Sequence, residues 1–286
     1  MAWPTWWHGA LLALAGGLVA LVARRWPAVA STRAGVVAVP AALEIALVSG
    51  LYSVWRLARV LPLAHVDGAI ERARQLDRLQ QQFGMPMELS LQRFVLERDW
   101  LAQFTNAYYA IAHVPSLLIF LVWLYVRHRE AYPHWRNGLV VLTAFCLVIR
   151  FVRVAPPRFL GDLGYVDLSS RFGLSLYGPV GTGVSDQFAA MPSIHVGWAA
   201  VVSCGVVAAG TSRWRWLFLL HIVLTMLVVS ATGNHWWLDG IVAMGLLGVG
   251  LWLDTRVRRF TASWRALIGI PGDPVNHDLV ESTARR

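Results

Sequence analysis

The residues of this chain that are best suited to chemistry form two short polar clusters, each beside a long apolar run. The first cluster contains Ser193 and His195, and the second contains His235 and Asp239. The histidines are 40 positions apart, and the chain between them is almost wholly apolar apart from a short basic turn at 210–215. Two apolar runs of roughly 18–20 residues joined by a short turn are typical of a transmembrane hairpin, which returns the chain to the same membrane face. We therefore predict that both histidines and Ser193 lie side by side at one bilayer surface.

The spacing within the second cluster suits a histidine that acts as a nucleophile or a base. Asp239 follows His235 by four residues and shares its helical face, where its carboxylate can hold the imidazole in one tautomer and leave the other nitrogen reactive. His195, placed beside a bound anion, can protonate a leaving group. Pro192 suits the first turn of a helix, and the free N–H groups after it, with the Ser193 hydroxyl, would bind an anion. Together these groups indicate transfer of a phosphoryl-type group.

Two other interpretations of the histidines are open at this point. A histidine near a helix end is often only an interfacial polar residue, although this is less expected for a pair with a serine and an aspartate at these spacings. Two histidines and an aspartate could also ligate a metal or a haem, but no cysteine or further histidine is close in sequence. Cationic side chains can stabilise a phosphate without a metal, and we predict a site with no metal and no cofactor.

The two clusters resemble motifs of a known family. Pro192-Ser193-x-His195 followed by His235-x-x-x-Asp239 is similar to the second and third motifs of the type 2 phosphatidic acid phosphatase superfamily, whose members are integral-membrane lipid phosphatases and phosphotransferases. The resemblance implies that His235 is the phosphorylated nucleophile, that Asp239 orients it and that His195 is the general acid. It also implies a six-helix core of the phosphatidic acid phosphatase and haloperoxidase type.

The first motif of that family, a lysine, six further residues and Arg-Pro, has a partial counterpart here. Arg158 matches the arginine, and the resemblance implies that this side chain binds the substrate phosphate. Arg153 and Arg150 are further candidates for phosphate binding on the same stretch. The chain contains no lysine, and Val229 stands where the third motif has an arginine.

Two short stretches look more like one branch of the superfamily. These are Ala-Pro-Pro-Arg at 155–158 and Gly-Asn-His at 233–235, which are similar to inositol phosphorylceramide synthase and sphingomyelin synthase. That inositolphosphotransferase-like branch moves phospho-headgroups between lipids. The resemblance therefore implies a lipid phosphate as substrate and either a lipid or water as acceptor.

The composition is that of an integral membrane protein. Of the 286 residues 57% are hydrophobic and only 14% are charged, which is unlike an ordinary soluble domain. The apolar runs predict an all-α protein with seven transmembrane helices, and the 15 tryptophans and seven tyrosines suit interfacial belts. The net charge of +9 could indicate a nucleic-acid partner. Because the arginines lie in short loops between apolar runs, we predict no such partner.

The composition also changes along the chain. Residues 1–33 are predicted to form an additional transmembrane helix and a basic loop, residues 34–266 the catalytic membrane domain, and residues 267–286 a disordered polar tail. The segment 62–100 carries five arginines against six acidic residues and has apolar positions at helical spacing. We predict two amphipathic helices on the membrane surface there, which form either a solvated cap or a lid over the lipid entrance.

Two further parts of the chain could border the site. Residues 106–126 are predicted to form one transmembrane helix, with His113 near its outer end, either lining the pocket or packed at the interface. The Gly-rich polar loop 161–188 is predicted to cover the site.

The distribution of arginine predicts the orientation. Loops 24–33, 127–136, 213–215 and 255–265 carry an excess of arginine over acidic residues, whereas the loops between them are mixed. The positive-inside rule places the first set in the cytoplasm. Seven helices then run from an outer N-terminus to an inner C-terminus, and both histidine clusters lie on the outer, periplasmic face of a bacterial-type plasma membrane.

We therefore predict a membrane enzyme that acts on a lipid phosphate at the outer leaflet through a phosphohistidine intermediate. Transfer of a headgroup such as phosphoinositol and simple hydrolysis of a polyprenyl phosphate or a phosphatidate share every catalytic residue, so both are open. A lipid transporter or flippase that keeps the motifs without turnover is the alternative outside enzymes. Against it, the chain shows neither paired discontinuous helices nor an inverted repeat.

Overall fold

The computed structural model describes residues 4–26, 31–60, 67–172 and 187–267. Within these ranges the regular structure is helical apart from one isolated parallel bridge between Val154 and Ala189, which confirms the all-α class. The contacts divide the chain into a unit of residues 1–63 and a unit of residues 64–286. The predicted division into domains remains a prediction, and residues 268–286 of the predicted tail lie outside the described residues.

The first unit is a pair of antiparallel apolar helices, α1 (Trp6–Arg25) and α2 (Arg33–Val60). They approach closely because small residues face each other: a Cβ atom at Gly16 would lie 2.5 Å from the carbonyl oxygen of Ala42. Many of the other side chains, among them Leu14, Leu18 and Val37, are exposed and apolar. A surface of this composition suits contact with lipid.

The second unit contains nine described α-helices. They are α3 (Ala69–Gln82), α4 (Glu88–Leu96), α5 (Asp99–Ile111), α6 (His113–Arg127), α7 (Tyr132–Ile149), α8 (Leu168–Phe172), α9 (Ile194–Ala209), α10 (Leu219–Ala231) and α11 (Trp237–Leu267). Short 3-10 turns occupy Pro157–Phe159, Gly161–Leu163 and Arg213–Phe218.

Four described helices are long and apolar enough to cross a membrane, and the pair α5 and α6 can be counted as a fifth. The four spans are Trp6–Ala23, Ala34–Ala58, Arg213–Ala231 and Trp237–Arg265. At 16 residues, α9 is shorter than the roughly 20 that a bilayer requires. Several apolar helices indicate a multi-pass membrane protein, and the count of seven stays a prediction.

The span predicted at 106–126 is divided in the structure. α5 ends at Ile111, α6 begins at His113, and the two axes are bent by 48°. Pro115, in the first turn of α6, has no N–H group to donate to the Ile111 carbonyl, so the helix cannot continue through this point unchanged. The bend therefore places the side chains of the last turn of α5 and the first turn of α6 close together.

The core of the second unit surrounds α9. This helix packs against α6, α7, α10 and α11, and half of its residues are buried, among them Ala200, Val201 and Val202. Buried residues of its neighbours, including Leu124 and Leu142, complete the cluster. Because α9 is enclosed, its first turn is held firmly with respect to the ends of α10 and α11.

The segment 62–100 contains two helices, α3 and α4, whose apolar faces pack inward. Ala73, Leu76 and Leu89 contact a cluster that includes Leu160 and Trp236. The segment therefore covers the chain just before α11, and its position on a membrane surface stays a prediction.

Two buried polar side chains of this segment hold the start of α11. Glu88 Oε1 accepts hydrogen bonds from the Trp237 amide at 3.0 Å and from Gln80 Nε2 at 2.8 Å. Gln80 Oε1 accepts one from the Leu238 amide at 3.0 Å. The first amides of a helix have no partner within the helix, and here α3 and α4 supply them.

Burial raises the pKa of Glu88 to about 6. A carboxyl group whose pKa is raised on folding makes its full contribution to stability at pH values below the pKa of the unfolded state. For Glu88 this contribution is lost as the pH rises through about 6. Over the whole titration, from about pH 3.5 to about pH 7, we expect the wild type to lose about 2 kcal/mol of free energy of unfolding relative to Glu88→Gln, which does not titrate. Thermal unfolding in detergent, followed by tryptophan fluorescence, measures this difference. Parallel pH profiles for the two proteins would contradict the prediction.

Candidate active site

The second polar cluster lies on a tight turn between α10 and α11. The amides of Asn234 and His235 both donate to the Val229 carbonyl, at 3.1 and 3.2 Å. Gly233 has a φ of +67°, and a Cβ atom there would lie 3.3 Å from the Arg158 backbone nitrogen, so glycine suits this position on both counts. Its carbonyl accepts a 2.9 Å hydrogen bond from the Arg158 amide. The turn thus fixes His235 beside the segment that carries Arg158.

The structure places the two histidines of the hairpin next to each other. His195, in the first turn of α9, has its Nδ1 3.3 Å from Nε2 of His235. The His235 side chain is buried, whereas His195 is partly exposed. A phosphate group beside the pair would therefore be within reach of a nitrogen from each ring.

The other nitrogen of His235 faces two acceptors. Its Nδ1 lies 2.6 Å from the Ala190 carbonyl oxygen and 3.4 Å from Asp239 Oδ2. Both atoms accept, so we assign the proton to Nδ1, which leaves a lone pair on Nε2. The tautomer required of a nucleophile is thus set mainly by a backbone carbonyl and reinforced by the carboxylate.

Asp239 also organises the backbone around the histidine. It is fully buried, and its Oδ2 accepts a 2.8 Å hydrogen bond from the Trp236 amide. Its own carbonyl accepts a 3.0 Å hydrogen bond from the Ser193 amide. A negative charge at the N-terminal end of a helix is favourable, so this carboxylate suits its place at the start of α11.

The start of α9 offers donors to an anion. Ser193 is the N-cap residue, and its buried hydroxyl oxygen accepts a hydrogen bond from the Val196 amide at 3.4 Å. The amides of Ile194 and His195 precede the first hydrogen bond within the helix. The Ser193 hydroxyl keeps its own proton to donate, so the first turn can present three donors beside His195.

Arg158 is buried and anchored on both sides. Its guanidinium donates to the side-chain oxygen of Asn234, next to the catalytic candidate His235, and lies 3.7 Å from Asp167 Oδ2. Arg150 and Arg153 are also buried, on the stretch that leads to Arg158. The contacts thus bring Arg158 to the second cluster, and phosphate binding by all three arginines stays a prediction.

A family model described as the PAP2 superfamily matches residues 74–253, more than half of the 286-residue chain. The chain belongs to the PAP2 superfamily. The matched region contains both histidine clusters and Arg158. Comparisons with curated proteins and with solved structures found no match. Membership supports a phosphatase-type activity on lipid phosphates, and the inositolphosphotransferase branch stays a prediction.

The structure shows polar partners of this PAP2 site that the family motifs do not include. Asn234 holds Arg158, and the Ala190 carbonyl holds His235. Gln92 of α4 exchanges two hydrogen bonds with the Val166 backbone, at 2.8 and 2.9 Å, and donates to the Ala231 carbonyl at 3.3 Å. Only Asn234, adjacent to His235, carried a signal in the sequence.

The three candidate metal ligands of this PAP2 site, His195, His235 and Asp239, do not face a common point. The carboxylate of Asp239 faces Nδ1 of His235, and the opposite nitrogen faces His195. In the part of the chain that the structure describes, no group of three or more His, Cys, Asp or Glu side chains could hold a metal ion. The expectation of a metal-free reaction stays a prediction.

Proposed function

We propose that this PAP2 protein is a lipid-phosphate phosphatase or phosphotransferase that works through a phosphohistidine on His235. The observation that carries the proposal is the pairing of the two rings. Nδ1 of His235 is held by a carbonyl and a carboxylate, while its Nε2 lies 3.3 Å from the imidazole of His195. We therefore assign the role of nucleophile to His235 and that of proton donor to the neighbouring ring of His195.

In the first half of the reaction, Nε2 of His235 forms a bond to phosphorus as the bond from phosphorus to the lipid oxygen breaks. His195 gives its proton to the departing alkoxide. Arg158, the Ser193 hydroxyl and the first amides of α9 stabilise the equatorial oxygens. In the second half, His195 takes a proton from water or an alcohol, whose oxygen attacks phosphorus and releases His235. Preorganisation of this kind suits phosphate monoester hydrolysis, one of the slowest uncatalysed reactions.

Hydrolysis and transfer use the same groups and differ only in the acceptor. We propose an active site at the outer leaflet of a bacterial plasma membrane, with phosphatidate, a polyprenyl phosphate or a headgroup-bearing phospholipid such as a phosphoinositide as donor. Incubation of the purified protein with these labelled lipids, with and without acceptor lipids, and mass spectrometry of the products would identify the reaction. His235→Ala is the control. Product formation that is equal in this variant, or absent with every lipid, would reject the proposal.

Activity should survive prolonged treatment with EDTA, because an arginine, a hydroxyl and helix amides provide the charge stabilisation. The measurement is phosphate release before and after chelation and dialysis. A loss of activity that Mg²⁺ or Zn²⁺ restores would overturn the scheme as written.

The orientation can be tested with single cysteines at exposed positions on opposite ends of the helices. Leu163 follows the segment of Arg158, and Thr211 lies in the turn between α9 and α10; both are exposed. With Cys146 and Cys204 replaced by alanine, an impermeant thiol reagent applied to intact cells should label Leu163→Cys and leave Thr211→Cys unlabelled until the cells are lysed. The reverse pattern would place the site in the cytoplasm.

A further inference from the structure

A third histidine lies against the catalytic pair. His113 begins α6, directly after the bend, and its ring centroid is 4.8 Å from that of His195. Its side chain is buried, with 4% of its surface exposed. The ring of Tyr108 contacts it edge-on at 5.5 Å. The ring of His195 is thus in contact with two other imidazole rings, that of His235 and that of His113.

Neither ring nitrogen of His113 has a hydrogen-bond partner among the residues of the structure. A buried polar group without a partner is unfavourable by about 1–3 kcal/mol and calls for an explanation. A neutral imidazole offers one donor and one acceptor. A hydroxyl group can bond to either nitrogen, since it both accepts and donates, whereas a phosphate oxyanion can only accept from the N–H.

The neighbouring side chains do not form hydrogen bonds with the His113 nitrogens, which can therefore bind a hydroxyl group. The Tyr108 hydroxyl is already engaged, at 2.7 Å from Nδ1 of His221 and 3.2 Å from Oγ1 of Thr225. Tyr109 places its ring 4.5 Å from that of His195 and 6.3 Å from that of His113. The rings of Tyr108 and Tyr109 thus pack beside His113, whose two nitrogens stay unsatisfied.

We propose that His113, with Tyr109 and His195, forms a subsite for a hydroxyl group of the alcohol, either the alcohol that leaves or the one that accepts the phosphoryl group. The inference rests on the proposed function, because it is His195 that exchanges a proton with this alcohol. In transfer, the bond from His235 Nε2 to phosphorus breaks, a bond from the alcohol oxygen to phosphorus forms, and the hydroxyl proton passes to His195. A polyhydroxylated alcohol fits best, since one hydroxyl reacts while a neighbouring one bonds to His113.

The subsite can be tested with p-nitrophenyl phosphate as donor and glycerol as the acceptor probe. Release of p-nitrophenol counts every turnover, and glycerol phosphate, measured by ³¹P NMR, counts transfers. In the wild type we expect their ratio to saturate with glycerol concentration, as binding requires. His113→Phe, which keeps a ring of similar size, should lower the ratio about tenfold, whereas His113→Gln, which keeps a donor and an acceptor, should retain most of it.

His128→Phe is the matched control, because this histidine ends the same helix and packs against Trp123 with ring centroids 4.4 Å apart. Its transfer ratio should equal that of the wild type. A ratio that rises linearly with glycerol, is unchanged in His113→Phe, or is zero in a wild type that still releases p-nitrophenol would overturn the subsite. Failure of the proposed function is a separate result, in which wild type and His235→Ala release p-nitrophenol equally.

Discussion

His235→Ala is expected to lower turnover of a lipid phosphate and of p-nitrophenyl phosphate alike, by roughly 10⁴-fold or more, because no leaving group replaces a missing nucleophile. His195→Ala should behave differently. General acid catalysis is typically worth about 10²–10⁴-fold, and that factor applies to the poor alkoxide leaving group of a lipid. p-Nitrophenolate needs little protonation, so the loss on that substrate should be far smaller. Parallel initial-rate measurements on the two substrates give the comparison.

Asp239→Asn is the matched control for this pair of variants. The Ala190 carbonyl, at 2.6 Å, still holds Nδ1 of His235 when the carboxylate is lost. We therefore expect the activity of Asp239→Asn to lie between those of the wild type and His235→Ala on both substrates. The same leaving-group dependence in His195→Ala and His235→Ala would show that the two roles are wrongly assigned. Full activity in both variants would show that the site is elsewhere.

Arg158→Ala is expected to reduce kcat by about 10²–10³-fold, the range typical of losing one preorganised donor to a developing oxyanion. Arg158→Lys should recover only part of the activity, because an ammonium group lacks the planar fork that binds two oxygens at once. Added guanidinium should restore part of the activity of the alanine variant by filling the space that the side chain leaves. The measurement is kcat on p-nitrophenyl phosphate, with and without guanidinium.

Arg74→Ala is the control for the arginine series. Arg74 pairs with Asp162 at 2.7 Å on the surface, where the Arg74 side chain is partly exposed and that of Asp162 is more than half exposed, and its hydrogen bond lowers the pKa of the Asp162 carboxyl. Because exposed ion pairs contribute little to stability, this variant should keep kcat within about twofold of the wild type. If Arg158→Ala performs as well as Arg74→Ala, the buried guanidinium does not bind the reacting phosphate.

The part of the site that could be predicted from the sequence follows from periodicity and length. Two apolar runs and one turn are enough to predict His195 and His235 at the same surface. In the structure, Nδ1 of His195 lies 3.3 Å from Nε2 of His235. The four-residue spacing placed Asp239 on the face of His235, where its carboxylate lies 3.4 Å from Nδ1. These relations are local, or depend only on a hairpin, so they need no knowledge of the tertiary fold.

The remainder of the site depends on contacts between distant segments. The Ala190 carbonyl that holds His235 is a backbone atom and has no signature in the sequence. Glu88 and Gln92 belong to a charged segment that looks solvated, and only packing shows that these two side chains turn inward. The bend before His113 could have been suspected from Pro115, but apolar composition alone favoured one continuous helix.

The most direct test of the proposed function is to find the phosphoryl group on the protein. The His195→Ala variant, which lacks the base for the second half of the reaction, should accumulate the intermediate when it is given labelled p-nitrophenyl phosphate and quenched in alkali. Cleavage after arginine separates the two clusters, because position 195 lies in peptide 172–213 and His235 in peptide 216–256. We predict label in the second peptide, located at His235 by fragmentation. Label elsewhere, or none while p-nitrophenol is still released, would contradict the phosphohistidine mechanism.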